Sequence, residues 1–189
     1  MQNRWSRRAF LGSAGVAAAV GLGACTSIQG SQQRGEKIDR RVDSALAYLS
    51  ENVPGAAELA TRASGILIMP LVTEAGFGIG GSYGRGALRV GDATVDFYSA
   101  ASGSFGFQIG AQQYAHALYF MTDTALTNFR ASEGFSVGGD VEYAISNRGG
   151  TLTADTTTAT QQVIAVIFGQ AGLIAGATLE GTKYTRIFP

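Results

Sequence analysis

The sequence predicts an α+β domain in which N-terminal helices pack on a strongly curved, glycine-rich, mostly antiparallel β-sheet or partial barrel. Three observations predict it. Helical spacing of apolar residues is sustained over residues 36–63, apolar runs beyond Gly65 are mostly short or alternating, and many of the 27 glycines interrupt those runs. Glycine at such places permits the bulges and tight bends that curve a sheet.

Ile38, Val42, Ala45, Leu46, Leu49 and Val53 recur at helical spacing while Lys37, Arg40, Arg41 and Ser44 fall on the other side, so an amphipathic helix begins at Glu36. Pro54 stops it and suits the first turn of a second helix over 55–63, built on Ala57, Leu59 and Ala60. The run Gly65–Met69, ended by Pro70, is too brief for a buried helix and reads as a core strand. Gly91-Asp92 between two strand-like runs, 87–90 and 94–98, signals a hairpin. Val95, Phe97, Phe105, Phe107, Ile109 and Ala111 share odd parity, which predicts a long bent strand, or a pair of strands, with one buried face. The apolar stretch Tyr114–Met121 leads to Thr122-Asp123, the start of a short helix carrying Ala125, Leu126 and Phe129. Alternation over 134–143, a turn at 147–150 and runs at 163–168, 172–179 and 183–188 complete a strand-rich second half. The Thr-rich segment 150–162 fits a loop and an edge strand equally well.

Ahead of this domain, Arg4, Arg7 and Arg8 precede an uncharged small-residue run, Ala9–Ala24. That is the layout of a secretory signal. As a helix the run spans about 24 Å, short of the roughly 30 Å of a hydrocarbon core. Arg7 and Arg8, followed by Phe10 and Leu11, resemble the twin-arginine export motif, which is read by a receptor. Leu22-Gly23-Ala24-Cys25 resembles a lipobox, in which small residues flank the scissile bond and the thiol of the first mature residue takes a diacylglycerol. Residues 1–24 are accordingly expected to be a twin-arginine lipoprotein signal peptide, with Cys25 lipidated. Residues 25–35, polar and without periodicity, are expected to form an acylated tether, and 36–189 the folded domain. Thr26 in place of Asp after the lipidated residue points to the outer membrane in an organism that has one, hence its periplasmic face.

Removal of residues 1–24 takes three of 14 basic residues and no acidic one, leaving 11 basic against 14 acidic. A balance of −3 without a basic run carries no footprint for nucleic acid. Cys25 is the sole cysteine, so no intramolecular disulfide forms. One histidine and scattered carboxylates imply no metal, and no cofactor is implied. Gly76-Phe77-Gly78-Ile79-Gly80-Gly81 has the spacing of a dinucleotide fingerprint, but Ser82-Tyr83-Gly84-Arg85-Gly86 cannot open the helix that motif needs. Gly80-Gly81-Ser82-Tyr83-Gly84 has nucleophile-elbow spacing, and Asp92 or Asp96 and His116 follow in the chain order of that hydrolase class. Again no helix follows the serine. The sequence is read as non-enzymatic.

The segments 54–56, 65–70 and 75–84, the stretch Tyr98–Gln112 followed by Phe120-Met121-Thr122, and Gly172–Gly176 with Leu179-Glu180-Gly181 together resemble the SYLF family of lipid-binding domains, over about residue 36 to the C-terminus. Phe135 stands where relatives often have Trp. The resemblance implies a membrane-associated binding domain. Eukaryotic relatives bind phosphoinositides and some bind actin, and bacterial relatives are commonly exported lipoproteins. An envelope protein meets neither actin nor much phosphoinositide. The expected ligands are therefore membrane phospholipids, contacted through Lys37, Arg40 and Arg41 on the helix similar to the family's basic lipid-binding helix. Glu36, Asp39 and Asp43 on the same helix would partly cancel that patch. The alternative is a scaffold that binds an envelope protein partner, with lipid only as anchor.

Trp5 is the only tryptophan and lies in the expected signal. Exported protein is therefore expected to show tyrosine but no indole fluorescence, and indole emission from it would mean that the leader stays on.

Overall fold

The computed structural model describes residues 14–136, 142–145, 161–172, 179 and 181–189. In chain order the elements are α1 (Ala14–Asn52), α2 (Ala56–Arg62), β1 (Gly65–Val90), β2 (Ala93–Phe120), α3 (Asp123–Ala131), β3 (Phe135–Ser136), β4 (Glu142–Ile145), β5 (Val163–Gly172) and β6 (Lys183–Ile187). The described residues divide into two compact units, one up to Glu36 together with Pro189 and a second between Lys37 and Phe188. The described core lies wholly in the second unit, between Ile38 and Tyr184, so a chain starting at Thr26 keeps all of it.

Two long strands organise that unit. β1 and β2 pair antiparallel from Gly65↔Phe120 to Val90↔Ala93, closing in a two-residue turn whose Gly91 has φ 57°. The left-handed backbone there suits glycine. The other edge of β2 is shared: β6 pairs with Phe97–Ala101, and β5 with Gln112–Phe120. β3 adds to β6 antiparallel and β4 to β5 parallel, giving six strands among the described residues. β1 bends between these ends until its two arms meet. A Cβ on Gly84 would lie 2.7 Å from Val72 Cγ2 and 2.9 Å from the Leu71 carbonyl oxygen, and one on Gly86 would overlap the carbonyl oxygen of Ile68. The strand thus crosses itself at backbone contact, which rolls the sheet into the expected curved form.

Where the sheet meets the helices both of its faces are buried, and alternation sorts the side chains between them, whereas Phe77, Ile79 and Tyr83 in the middle of β1 are exposed. Leu67, Met69 and Leu88 of β1, Leu118 and Phe120 of β2, Ile167 of β5 and Tyr184 of β6 fill one side, closed by Leu126 and Phe129 of α3. Ile68, Ala117, Tyr119, Ile164 and Val166 face the other way, against Ile38, Val42 and Leu49 of α1 and Leu59 of α2. Burying a side chain such as Val42 or Leu49 contributes about 1.5–3 kcal/mol, which holds the polar helix face in register over the sheet. α3 starts where Thr122 accepts a hydrogen bond from the Ala125 amide at 3.1 Å. Phe135 packs edge-on against Phe129 at 5.1 Å, a place that an indole would equally suit.

The α+β class is as the sequence predicts, and several local expectations are corrected. Pro70 does not end the first strand: β1 runs through it across a register shift between Met69 and Val72, where a residue without an amide costs no ladder bond. Odd parity does not mark one buried face, since Val95 and Ala111 are exposed while Tyr98, Ala100, Gln112 and Tyr114 are buried. Pro54 lies in the turn before α2, whose N-cap is Gly55 at φ 87°. Residues 26–35, expected as an irregular tether, are helical within α1. They contain no proline, and their polarity reflects exposure of residues such as Gln32, Gln33 and Arg34 rather than a non-helical backbone. The turn at 147–150, most of the Thr-rich segment and residues 173–178 lie outside the described residues.

Gly86→Ala is expected to cost about 2–3 kcal/mol, because overpacking meets backbone that cannot rotate away. Gly91→Ala, with open space around its Cβ, is expected to cost only the left-handed backbone term of about 1 kcal/mol. Urea unfolding of the chain from Thr26 checks this order, and the reverse order would rule out the strand crossing.

A cationic groove between the first helix and the sheet

Along α1, Lys37, Arg40, Arg41, Ser44 and Tyr48 form the exposed stripe next to the buried one of Ile38, Val42, Ala45 and Leu49. This stripe makes one wall of a groove of about 710 Å³. Pro70 and Leu71 of β1, Gln113, Tyr114 and Ala115 of β2, and Phe168 and Gly169 of β5 make the rest. The groove lies over a double irregularity in the sheet. β1 shifts register between Met69 and Val72, and the β2–β5 pairing shifts between Gln113 and Ala115, opposite Gly169 at φ 61°. Bulges bend and twist a strand locally, and here two of them flank the same stretch of β2.

Asp39 and Asp43 of α1 turn away from the groove. Arg89 of β1 meets Asp43 Oδ1 at 2.5 Å and Asp39 Oδ1 at 3.5 Å, and the Thr94 hydroxyl donates to Asp39 Oδ1 at 2.6 Å. Arg89 also donates to the carbonyl of Asp92 in the β1–β2 turn, so the turn and the helix are tied together. Two of the three acids that would cancel Lys37, Arg40 and Arg41 are thus spent on the opposite flank, and Glu36 remains on the same helix as the patch. Such partly exposed pairs contribute about 0–1 kcal/mol each, so their effect on the field of the groove matters more than their effect on stability.

The structure therefore gathers the three predicted basic residues along one wall. Cys25, Leu22, Gly23 and Ala24 fall within α1, and Arg7, Arg8, Phe10 and Leu11 lie outside the described residues. No helix among the described residues is long and apolar enough to cross a membrane. Sequence reasoning did not select Tyr48, Leu71 or Phe168. Tyr48 continues the stripe at four residues from Ser44, whereas Leu71 and Phe168 reach the groove only through the bulges.

The hydrolase-like residues are dispersed among other partners. Ser82 Oγ lies 2.7 Å from Ser102 Oγ, and Asp96 holds Arg130 at 3.0 Å and Arg186 at 3.4 Å, which ties α3 to β2 and β6. Asp92 sits in the exposed hairpin turn. The GxGxxG spacing lies inside β1, where a Cβ on Gly76 would stand 2.7 Å from Gly80 Cα, so close approach of backbone accounts for those glycines. Among the described residues no group of three His, Cys, Asp or Glu could hold a metal ion.

His116 is fully buried, 2.7 Å from the Tyr184 hydroxyl through Nε2, with Nδ1 unpartnered. Desolvation lowers its pKa from 6.5 to about 3. The folded state thus keeps the ring neutral where the unfolded chain takes up a proton. The stability this represents is complete above pH 6.5 and is lost as pH falls from 6.5 towards 3. His116 is the chain's only histidine. Stability is accordingly expected to fall by about 1 kcal/mol per pH unit between pH 6.5 and 5, ahead of most carboxylate titration. Denaturant titrations at several pH values check this, and His116→Gln is expected to flatten the slope in that window.

Residues 101–186 match the family model described as Ysc84: Las17-binding protein actin regulator. No curated protein matches the chain. The matched stretch runs from the middle of β2 through α3 and the remaining strands to β6, so it supplies the β2 and β5 residues of the groove, while α1 and β1, with Pro70 and Leu71, lie before it. Residues 101–186 thus match the model of the Ysc84 (SYLF) family, the family that the sequence resembles.

Proposed function

We propose that this protein is an exported lipoprotein, anchored through acyl chains on Cys25, whose domain binds anionic phospholipid headgroups through the groove along α1. In this reading the leader is removed after Ala24 and the protein is held at the cell envelope, on the periplasmic face of the outer membrane. The observation that carries the headgroup part is the segregation of charge on one helix. Lys37, Arg40 and Arg41 line the groove, while Asp39 and Asp43 are engaged by Arg89 and Thr94. A basic residue near an anionic surface contributes about 1 kcal/mol, so three residues facing one way give an attraction that the net charge of the chain conceals. The binding role accords with the family, whose description names binding to a protein and regulation of actin. That description also favours the second reading, a scaffold for an envelope protein that uses lipid only as anchor.

Vesicle flotation of the chain from Thr26 separates the two. Binding to phosphatidylglycerol-containing vesicles, weak binding to phosphatidylcholine alone, and a loss of about 100-fold in the Lys37→Ala/Arg40→Ala/Arg41→Ala variant are expected. No flotation on anionic vesicles leaves the scaffold reading. Mass spectrometry of the exported protein checks the anchor, with acylated Cys25 expected as the first residue.

A further inference from the structure

The groove is larger and less polar than a headgroup requires. Its volume of about 710 Å³ falls in the range of roughly 300–1,000 Å³ that whole small molecules occupy. Only the α1 wall carries charge. Across from it, Leu71 is 38% exposed, and on α1 itself Tyr48 is 47% exposed, although both adjoin the core. Tyr48 stacks on the buried Phe168 ring with centroids 6.0 Å apart and planes 17° from parallel, so it stands as a fixed flat wall. Positive charge at Lys37, Arg40 and Arg41 and apolar surface at Leu71, Tyr48 and Phe168, within one groove that also holds Gln113, complement a molecule with a charged head and an apolar tail.

Resting on the headgroup reading above, we infer that the groove holds one anionic amphiphile, its charged head against Lys37, Arg40 and Arg41 and the first methylenes of its chain along Leu71, Tyr48 and Phe168. The site then recognises a lipid molecule together with part of its tail, and a membrane supplies that molecule. A bare anion engages only the α1 wall.

Calorimetric titration of the chain from Thr26 tests this with two probes that share a head: dihexanoyl phosphatidylglycerol kept monomeric, and glycerophosphoglycerol, its deacylated form. The short-chain lipid is expected to bind at least tenfold more tightly. Leu71→Asn is expected to remove that difference and leave the deacylated head unaffected, whereas Lys37→Ala/Arg41→Ala weakens both. Where Leu71→Asn lowers the melting temperature, Tyr48→Ser serves in its place. Equal affinity for the two probes, no binding of either, or an unchanged preference in these variants overturns the inference. Flotation on anionic vesicles is read on the same protein: if it persists under any of those outcomes the headgroup reading stands without the acyl contact, and if it is lost that reading falls as well.

Discussion

The self-crossing of one strand governs the architecture. β1 returns over its own beginning so closely that Gly84 and Gly86 leave no room for a side chain beside Leu71, Val72 and Ile68. That contact forces the paired β2 to curve with it, and the curve gives the sheet an inside and an outside. Leu118, Phe120 and Tyr184 take the inside with α3, while Ala117, Tyr119 and Val166 are left for α1 and α2. Strands buried on both faces read as unbroken apolar runs, as Tyr114–Phe120 and Val163–Phe168 do. The glycine spacings that imitate nucleotide and nucleophile motifs belong to the same β1, where backbone meets backbone rather than a phosphate or an oxyanion.

The groove follows from this curvature by a second step. α1 is held over the sheet by its apolar stripe and by the Arg89–Asp39–Asp43 contacts at one flank, which fixes the rotation of the helix about its axis. With that rotation set, the polar stripe from Lys37 to Tyr48 overhangs the part of the sheet where Pro70 and Gly169 interrupt the ladders. An even ladder at both places would keep the pairing in step beneath the helix. One set of contacts therefore both seats α1 and sorts its charges, with Asp39 and Asp43 toward the hairpin and Lys37, Arg40 and Arg41 toward the groove.

Periodicity made the elements legible and left their ends uncertain, for identifiable reasons. The stripe Ile38–Val53 and the cap at Thr122 locate helices because their signals are local: a spacing in one case, a side chain bonded three residues on in the other. Pro70 misleads because its cost depends on whether a partner needs its amide, which only the register decides. The parity of 95–111 misleads because a bent, bulged strand does not keep one face buried along its length. For the site, Lys37, Arg40 and Arg41 could be read from the helix, but the removal of Asp39 and Asp43 could not, since Arg89 and Thr94 lie some fifty residues away and reach them only through the fold. Leu71 and Phe168 were hidden for the same reason.

In the proposed arrangement the two modes of membrane contact differ too much in strength to do the same work. Burying an acyl chain contributes about 0.8 kcal/mol per methylene, so one long chain on Cys25 outweighs the roughly 3 kcal/mol available to three basic residues near an anionic surface. Anchoring then determines whether the domain stays at a bilayer, and the groove adds little to retention. What a weak, directional site can still decide is which lipid the domain meets and which of its faces turns to the membrane, because specificity depends on differences in affinity rather than on its total. The groove is suited to that task by its asymmetry: charge lies at Lys37, Arg40 and Arg41 and apolar surface at Leu71, Tyr48 and Phe168, so only a ligand with both properties satisfies the two at once.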